Sequence, residues 1–139
     1  MDPASVIGIA GAALHYVRLL VGEVENIINA PEAVRLLKDD LVVISNALTS
    51  LQAITEPEWE SLGEAVVTQS KDATTKCKES CSNFRVALAR WTRHSSDGKL
   101  SWQDRAMVGF FKQDHIASMS RQLQNCKATL TSLASTATL

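Results

Sequence analysis

The three histidines, His15, His94 and His115, are scattered, and none has a Ser, Cys or acid beside it in the pattern of a nucleophile with its base. Solvated or capping roles suit them better than catalysis. Cys77 and Cys81 stand one helical turn apart and could offer two thiolates to zinc, yet no further ligands are supplied nearby and the CxxC spacing is missing. Small core or semi-exposed thiols are the simpler reading. Neither GxxxxGK[ST] nor GxGxxG occurs, so the sequence shows no nucleotide site. Lys71, Lys76 and Lys78, with Arg85, Arg90 and Arg93 further along, make one stretch locally basic. A solvated helix face is the plain reading there, and contact with anionic headgroups is the alternative. Without a paired acid and base, a phosphate loop or a credible metal set, the expectation is a protein with no enzymatic activity, no metal and no cofactor.

The element on which these side chains depend is the opening stretch. Val6, Ala10, Ala13, Val17, Leu20, Val24 and Ile27 recur at alternating four- and three-residue steps, which draws one apolar stripe along a helix. A second row, Ile7, Leu14, Val21 and Ile28, widens that face enough for two or three neighbouring helices to cover it. The side away from the stripe carries Gly8, Gly11 and Ala12 early, then His15, Arg18, Glu23, Glu25, Asn26 and Asn29. The first turns therefore lack a strongly polar face. Glycine costs about 1 kcal/mol relative to alanine inside a helix, so Gly8 and Gly11 imply close packing or a malleable segment.

The remaining pattern is helical throughout. Pro31 suits the first turn of a second helix, along which Val34, Leu37, Leu41, Ile44, Leu48 and Leu51 keep the three-four spacing. Thr55 with Glu58 has the form of a capping box and starts a third helix. Its inward positions read as Trp59, Gly63, Val66, Ser70, Ala73, Cys77, Ser80, Phe84, Ala87 and Trp91, with a weak, exposed or irregular part from Thr68 to Ser80. Ser95-Ser96-Asp97-Gly98 is a turn signal, and Ser101 with Asp104 caps a fourth helix beginning at Trp102. Ile116, Met119, Leu123, Cys126, Leu130 and Leu133 are in phase with one another but not with Trp102, Ala106, Phe110 and Phe111, which predicts a kink or break near Lys112. The expected architecture is all-α, a single bundle of four long helices over 4–29, 31–54, 56–93 and 101–135, with the first helix buried. Its core is expected to hold Val17, Leu20, Val24, Val34, Leu37, Leu41, Ile44, Leu48, Phe84, Trp102, Ile116, Leu123 and Leu130.

At 139 residues, 45% of them hydrophobic, the chain is of a size for one domain with one core. A formal charge of -1 gives no basic excess of the kind a nucleic-acid binder shows. The opening has no basic residue before its apolar run, which argues against a secretory signal. Interrupted by His15 and closed by Arg18, the run from Pro3 to Val17 falls short of the ~20 apolar residues a bilayer crossing needs. Three cysteines make no closed disulfide framework and fit a reducing, intracellular compartment.

The sequence resembles the fungal HeLo-like N-terminal domains found at the front of STAND-type receptors and in the protein L of azaphilone pigment clusters. The resemblance covers the whole chain. It rests on the opening Met1-Asp2-Pro3-x-Ser5 running straight into an apolar helix, and on Ala30-Pro31 followed by Val34, Leu37 and Leu41. Cys81 with Phe84 and Leu88 adds to it, as does Leu100-Ser101-Trp102-Gln103-Asp104-Arg105 leading to Phe111-Lys112, Ile116 and Leu123. What it implies is a cytoplasmic helical bundle that leaves its resting state on receptor assembly, places its N-terminal helix in the plasma membrane, and kills or signals. The partners so implied are membrane lipids, further copies of the chain, and an upstream STAND receptor or fused C-terminal domains, with no nucleic acid. Within residues 1–139 no NACHT, ankyrin or amyloid-motif segment follows the bundle, so an excised domain and a free-standing member are both open.

On that reading Pro3, Val6, Ile7, Gly8, Ile9, Gly11, Ala12 and Leu14 form the segment that exchanges bundle contacts for lipid. An Asp placed at Gly8 or Gly11 is expected to face outward in the soluble bundle. A plain adaptor or oligomerisation bundle is the rival class, and an exposed apolar patch outside the first helix is the feature that would favour it.

Overall fold

A computed structural model describes residues 3–28, 32–94, 100–102 and 109–137. The N-terminal stripe forms α1 (Pro3–Glu25), and the second run forms α2 (Glu32–Gln52). Thr55 starts α3 (Glu56–Leu62), which is followed by α4 (Glu64–Trp91) and, after two short strands, by α5 (Gly109–Ala137). Helix α1 packs against α2 and α4, and α5 packs against the same two, so the four long helices close a ring around one core. Glu25 meets Lys38 and Gly11 meets Gln52, which sets α1 and α2 antiparallel; Glu23 meets Arg85 and Tyr16 meets Lys78, which sets α1 and α4 parallel.

The core contains Val17, Leu20, Val24, Val34, Leu37, Leu41, Ile44, Leu48, Phe84, Ile116, Leu123 and Leu130, all buried. Trp102 belongs to a strand, and its side chain lies outside the described residues. A stripe of this kind stabilises a helix mainly through tertiary burial, at roughly 25 cal/mol per Å² of apolar surface removed from water.

The predicted third helix is instead two helices. Gly63 has φ +95°, a conformation that favours glycine, and its N–H donates to the Trp59 carbonyl to close α3. With α4 restarting at Glu64, the buried set becomes Val67, Ser70, Ala73, Thr74, Cys77, Cys81, Phe84, Ala87, Leu88 and Trp91, while Gly63, Val66 and Ser80 are half-buried. The stretch from Thr68 to Ser80, expected to be exposed or irregular, is regular helix within α4. Buried Thr74 is accommodated because its hydroxyl donates to the Ser70 carbonyl at 2.6 Å, inside the helix.

The described residues are all-α in class as expected, with five helices rather than four, and three short strands lie beside them. The first helix stops at Glu25, and β-branched Ile27–Ile28 forms β1 rather than a last turn. Thr92–His94 (β2) and Leu100–Trp102 (β3) complete a sheet in the order β1-β3-β2. Strand β1 runs parallel to β3 with Ile27 opposite Leu100, and β2 runs antiparallel to it with Thr92 opposite Trp102. Ser101 therefore sits mid-strand rather than capping a helix, because pairing on both sides satisfies backbone groups that a helix start leaves open. Helix α5 begins at Gly109 and passes Lys112 without a break, which corrects the predicted start at Trp102. Pro31, the Ser95–Gly98 turn and Asp104 lie outside the described residues.

The capping box at α3 is formed. The Thr55 hydroxyl accepts from the Glu58 N–H at 3.4 Å, and the Glu58 carboxylate accepts from the Thr55 N–H at 3.1 Å. Hydrogen bonds from Thr55 hold the Glu58 carboxyl below its ordinary range. Its contribution to stability is thus present above the unfolded carboxyl range and fades as pH falls through the lowered folded value. Thr55→Ala should destabilise the domain by about 1 kcal/mol, seen as a lower urea midpoint at unchanged slope.

Candidate functional site

Helix α1 presents two unlike sides. Val6, Ala10, Ala13, Leu14 and Val17 enter the core, with Leu14 at 4% exposure the least enclosed of them. Ile7, Ile9, Gly11 and Ala12 are half-buried along the flanks, and Gly8 is exposed; the Pro3 side chain lies outside the described residues. The predicted segment is thus one turn-by-turn mixture of core and outer positions, not a free strip. Its two glycines differ. A Cβ at Gly8 would meet nothing within 4 Å, whereas one at Gly11 would come 3.1 Å from Gln52 Nε2, so Gly11 faces the end of α2 rather than open solvent.

Beyond His15 the outer side of α1 continues with Arg18, Leu19 and Gly22, all exposed. The 20 residues Val6–Glu25, whose mean hydropathy reaches 1.4, are long and apolar enough to cross a membrane by length and composition. The expectation of a run too short to span stopped at Arg18, whereas Leu19, Leu20 and Val21 extend it by a further turn. The core helix of a soluble bundle meets the same measure, and the buried positions of α1 are such a core.

Charges fasten α1 to its neighbours. The Glu23 carboxylate accepts from Arg85 Nε of α4 in a half-buried ion pair, and Arg85 also lies 6.0 Å from the Tyr16 ring centroid. Lys78 stands 5.9 Å from the centroid of the same ring, and His15 meets it edge-on at 5.8 Å between centroids. Glu25 pairs with Lys38 of α2 at 2.8 Å, and that hydrogen bond raises the Lys38 ammonium above its ordinary value. Asp40 joins α2 to α5, accepting from Lys127 at 2.9 Å and from Gln124. Sequence reading did not single out Tyr16; the available signal was the common seven-residue step in Tyr16–Glu23 and Lys78–Arg85.

The thiols come together in the core. Cys77 and Cys81 of α4 and Cys126 of α5 are buried and free, with Cys77 hydrogen-bonded to both others. The bond with Cys126 favours the Cys77 thiolate, but the bond with Cys81 and burial outweigh it and push the group up. Its hydrogen bond with Cys77 and its burial push Cys126 up as well. Among the described residues no group of three or more His, Cys, Asp and Glu could hold a metal ion. Thiols so placed are poor nucleophiles. An aromatic disulfide reagent at neutral pH should leave all three unmodified in the native protein and titrate them in denaturant; rapid native labelling would place them near the surface.

His115 packs edge-on against Trp91 with centroids 5.4 Å apart, which gives it a packing role between α5 and α4, while the His94 side chain lies outside the described residues. Between α4 and α5 a cavity of about 570 Å³ is bordered by Asp72, Lys76, Ser80, Gln122 and Asn125. Its lining mixes both charges with amides.

What the fold and these side chains define is a helical-bundle domain whose first helix has an apolar inner side and, over its first turns, small residues away from the core. The chain belongs to the pigment biosynthesis cluster protein PigL N-terminal family, which it matches over residues 2–139. No curated protein and no solved structure matches it.

Proposed function

We propose that this is a HeLo-like membrane-targeting effector domain, non-enzymatic, that passes α1 from the bundle to lipid when chains are brought together. The carrying observation is the run of α1 away from the core, where exposed Gly8 and half-buried Gly11 and Ala12 precede Arg18, the first charge of the helix. A helix with that side and an apolar inner side surrenders little polar solvation on entering hydrocarbon. Family membership supports the reading through the HeLo-like character of such domains. Small residues allow close helix contact in lipid, so several chains act together. The resting protein is a cytoplasmic bundle with α1 not yet inserted, and the working place is the plasma membrane, with an upstream STAND receptor or a fused domain as the means of assembly.

The test is dye release from anionic liposomes by the native chain, as monomer and when oligomerised through a fused inducible dimeriser. Release by the oligomer supports the reading. A forced oligomer that never releases dye overturns it.

The adaptor reading has an observation of its own. Leu36, Val42 and Val43 of α2 are 56%, 42% and 40% exposed, outside the first helix. If they bind a partner helix, Leu36→Ser with Val43→Ser would abolish association in light scattering while leaving liposome behaviour unchanged.

A further inference from the structure

We infer that the seam between α1 and α4 is a docking surface by which the resting bundle lies on an anionic lipid bilayer. This rests on the membrane reading above and adds a step before α1 moves. Lys71, Lys78 and Arg85 recur at seven-residue intervals, which puts them on one row of α4, spaced ~10 Å apart along the axis. Contacts with Tyr16 and Glu23 show that this row faces α1. The same parallel register sets Lys71 beside Ile9, so the cations run along the flank of α1 that carries Ile9, Ala12 and Tyr16.

The apolar part of the surface lies on α1. Leu19 is 37% exposed and follows Ala12 and Tyr16 along the helix, and Arg18 and His15 are exposed nearby. A surface of this make-up, with small and apolar groups rimmed by cations and a half-buried tyrosine, matches the headgroup layer of a membrane.

Among the acids of α4, Glu64 opens the same seven-residue row one step before Lys71, at the N-terminal end of the helix. Asp72 and Glu79 border the cavity on the α5 side together with Lys76, although Glu79 also reaches the shallow pocket beside Tyr16. Glu23, the acid on the α1 side of the seam, is neutralised by Arg85. Beyond the Arg85–Glu23 pair the strip carries Lys71 and Lys78, joined by Arg18 of α1, and attraction to anionic lipid at short range depends on such local charge and not on the total.

Docking is measured on the resting monomer by co-sedimentation with phosphatidylcholine vesicles, with and without phosphatidylserine. Native protein should bind only the anionic vesicles, and less as salt rises. With each lysine near such a surface contributing about 1 kcal/mol, Lys71→Gln with Lys78→Gln should weaken binding by about 30-fold. The control, Arg35→Gln with Arg121→Gln, removes the same charge from exposed positions on α2 and α5 and should change binding less than threefold. Circular dichroism confirms that both doubles fold. Equal losses in the two doubles, native-like binding by the lysine double, or native binding that ignores phosphatidylserine would each overturn the proposal. Insertion is read separately, as dye release by forced oligomers, so docking can fail while insertion stands, and the reverse.

Discussion

Phe84→Ala should lower the unfolding free energy by ~3 to 5 kcal/mol, a large part of the ~5 to 15 kcal/mol that holds a domain of this kind together. Phe84 is fully buried on α4, in the core that α1, α2 and α5 share with it. Deleting its ring removes the transfer energy of the side chain and leaves a cavity that four packed helices close only in part. Val86, two residues further along the same helix, is 54% exposed, and Val86→Ala should stay within ~0.5 kcal/mol of native. Urea denaturation of both variants measures the difference. Equal midpoints would mean that α4 does not turn Phe84 inward. The contrast reads one helix phase directly, because neighbours two apart lie on opposite sides of a helix.

The same periodicity explains which parts of the structure were legible in sequence. Val17, Leu20 and Val24, like Leu37, Leu41 and Ile44, show their burial through spacing alone, since a helix turns local order into a face. Leu123, Leu130 and Leu133 do so for the later part of α5. The sheet was not legible, because strands of two and three residues carry no period and depend on partners some seventy residues away, as Ile27 does on Leu100. Gly63 was misread as a small inward position when it is a break, a matter of φ and not of size. Hydroxyl-rich α4 looked weak because Thr74 and Ser70 are polar in composition, yet Thr74 finds its acceptor one turn back. In the candidate site, Gly8 and Gly11 looked alike until the end of α2 came to rest against only one of them.

That difference selects Gly8→Asp as the variant for the membrane mechanism. A Cβ at Gly8 meets nothing within 4 Å, and aspartate is no worse than glycine inside a helix, so the resting bundle should keep its native denaturation midpoint. At Gly11 the same change would press on Gln52 Nε2, 3.1 Å away, and mix a packing effect into the readout. Once α1 enters hydrocarbon the balance reverses. Gly8 lies inside the Pro3–Val17 segment, where an aspartate costs up to the ~2.5 to 3.5 kcal/mol that insertion scales give at a helix centre. That is a factor of up to roughly 70 to 400 in the insertion equilibrium of each chain, and it multiplies when several chains enter together. Gly8→Asp should therefore fold as native, retain resting attachment to anionic vesicles through the α4 cations, and lose dye release by at least two orders of magnitude. Gly8→Ala should release dye like the native chain, which separates charge from the loss of glycine. If folded Gly8→Asp oligomers release dye as fast as native ones, α1 does not pass through the hydrocarbon layer at Gly8. The exposed Leu36 and Val43 of α2 then become the working surface, and the domain acts by holding a partner rather than by breaching a bilayer.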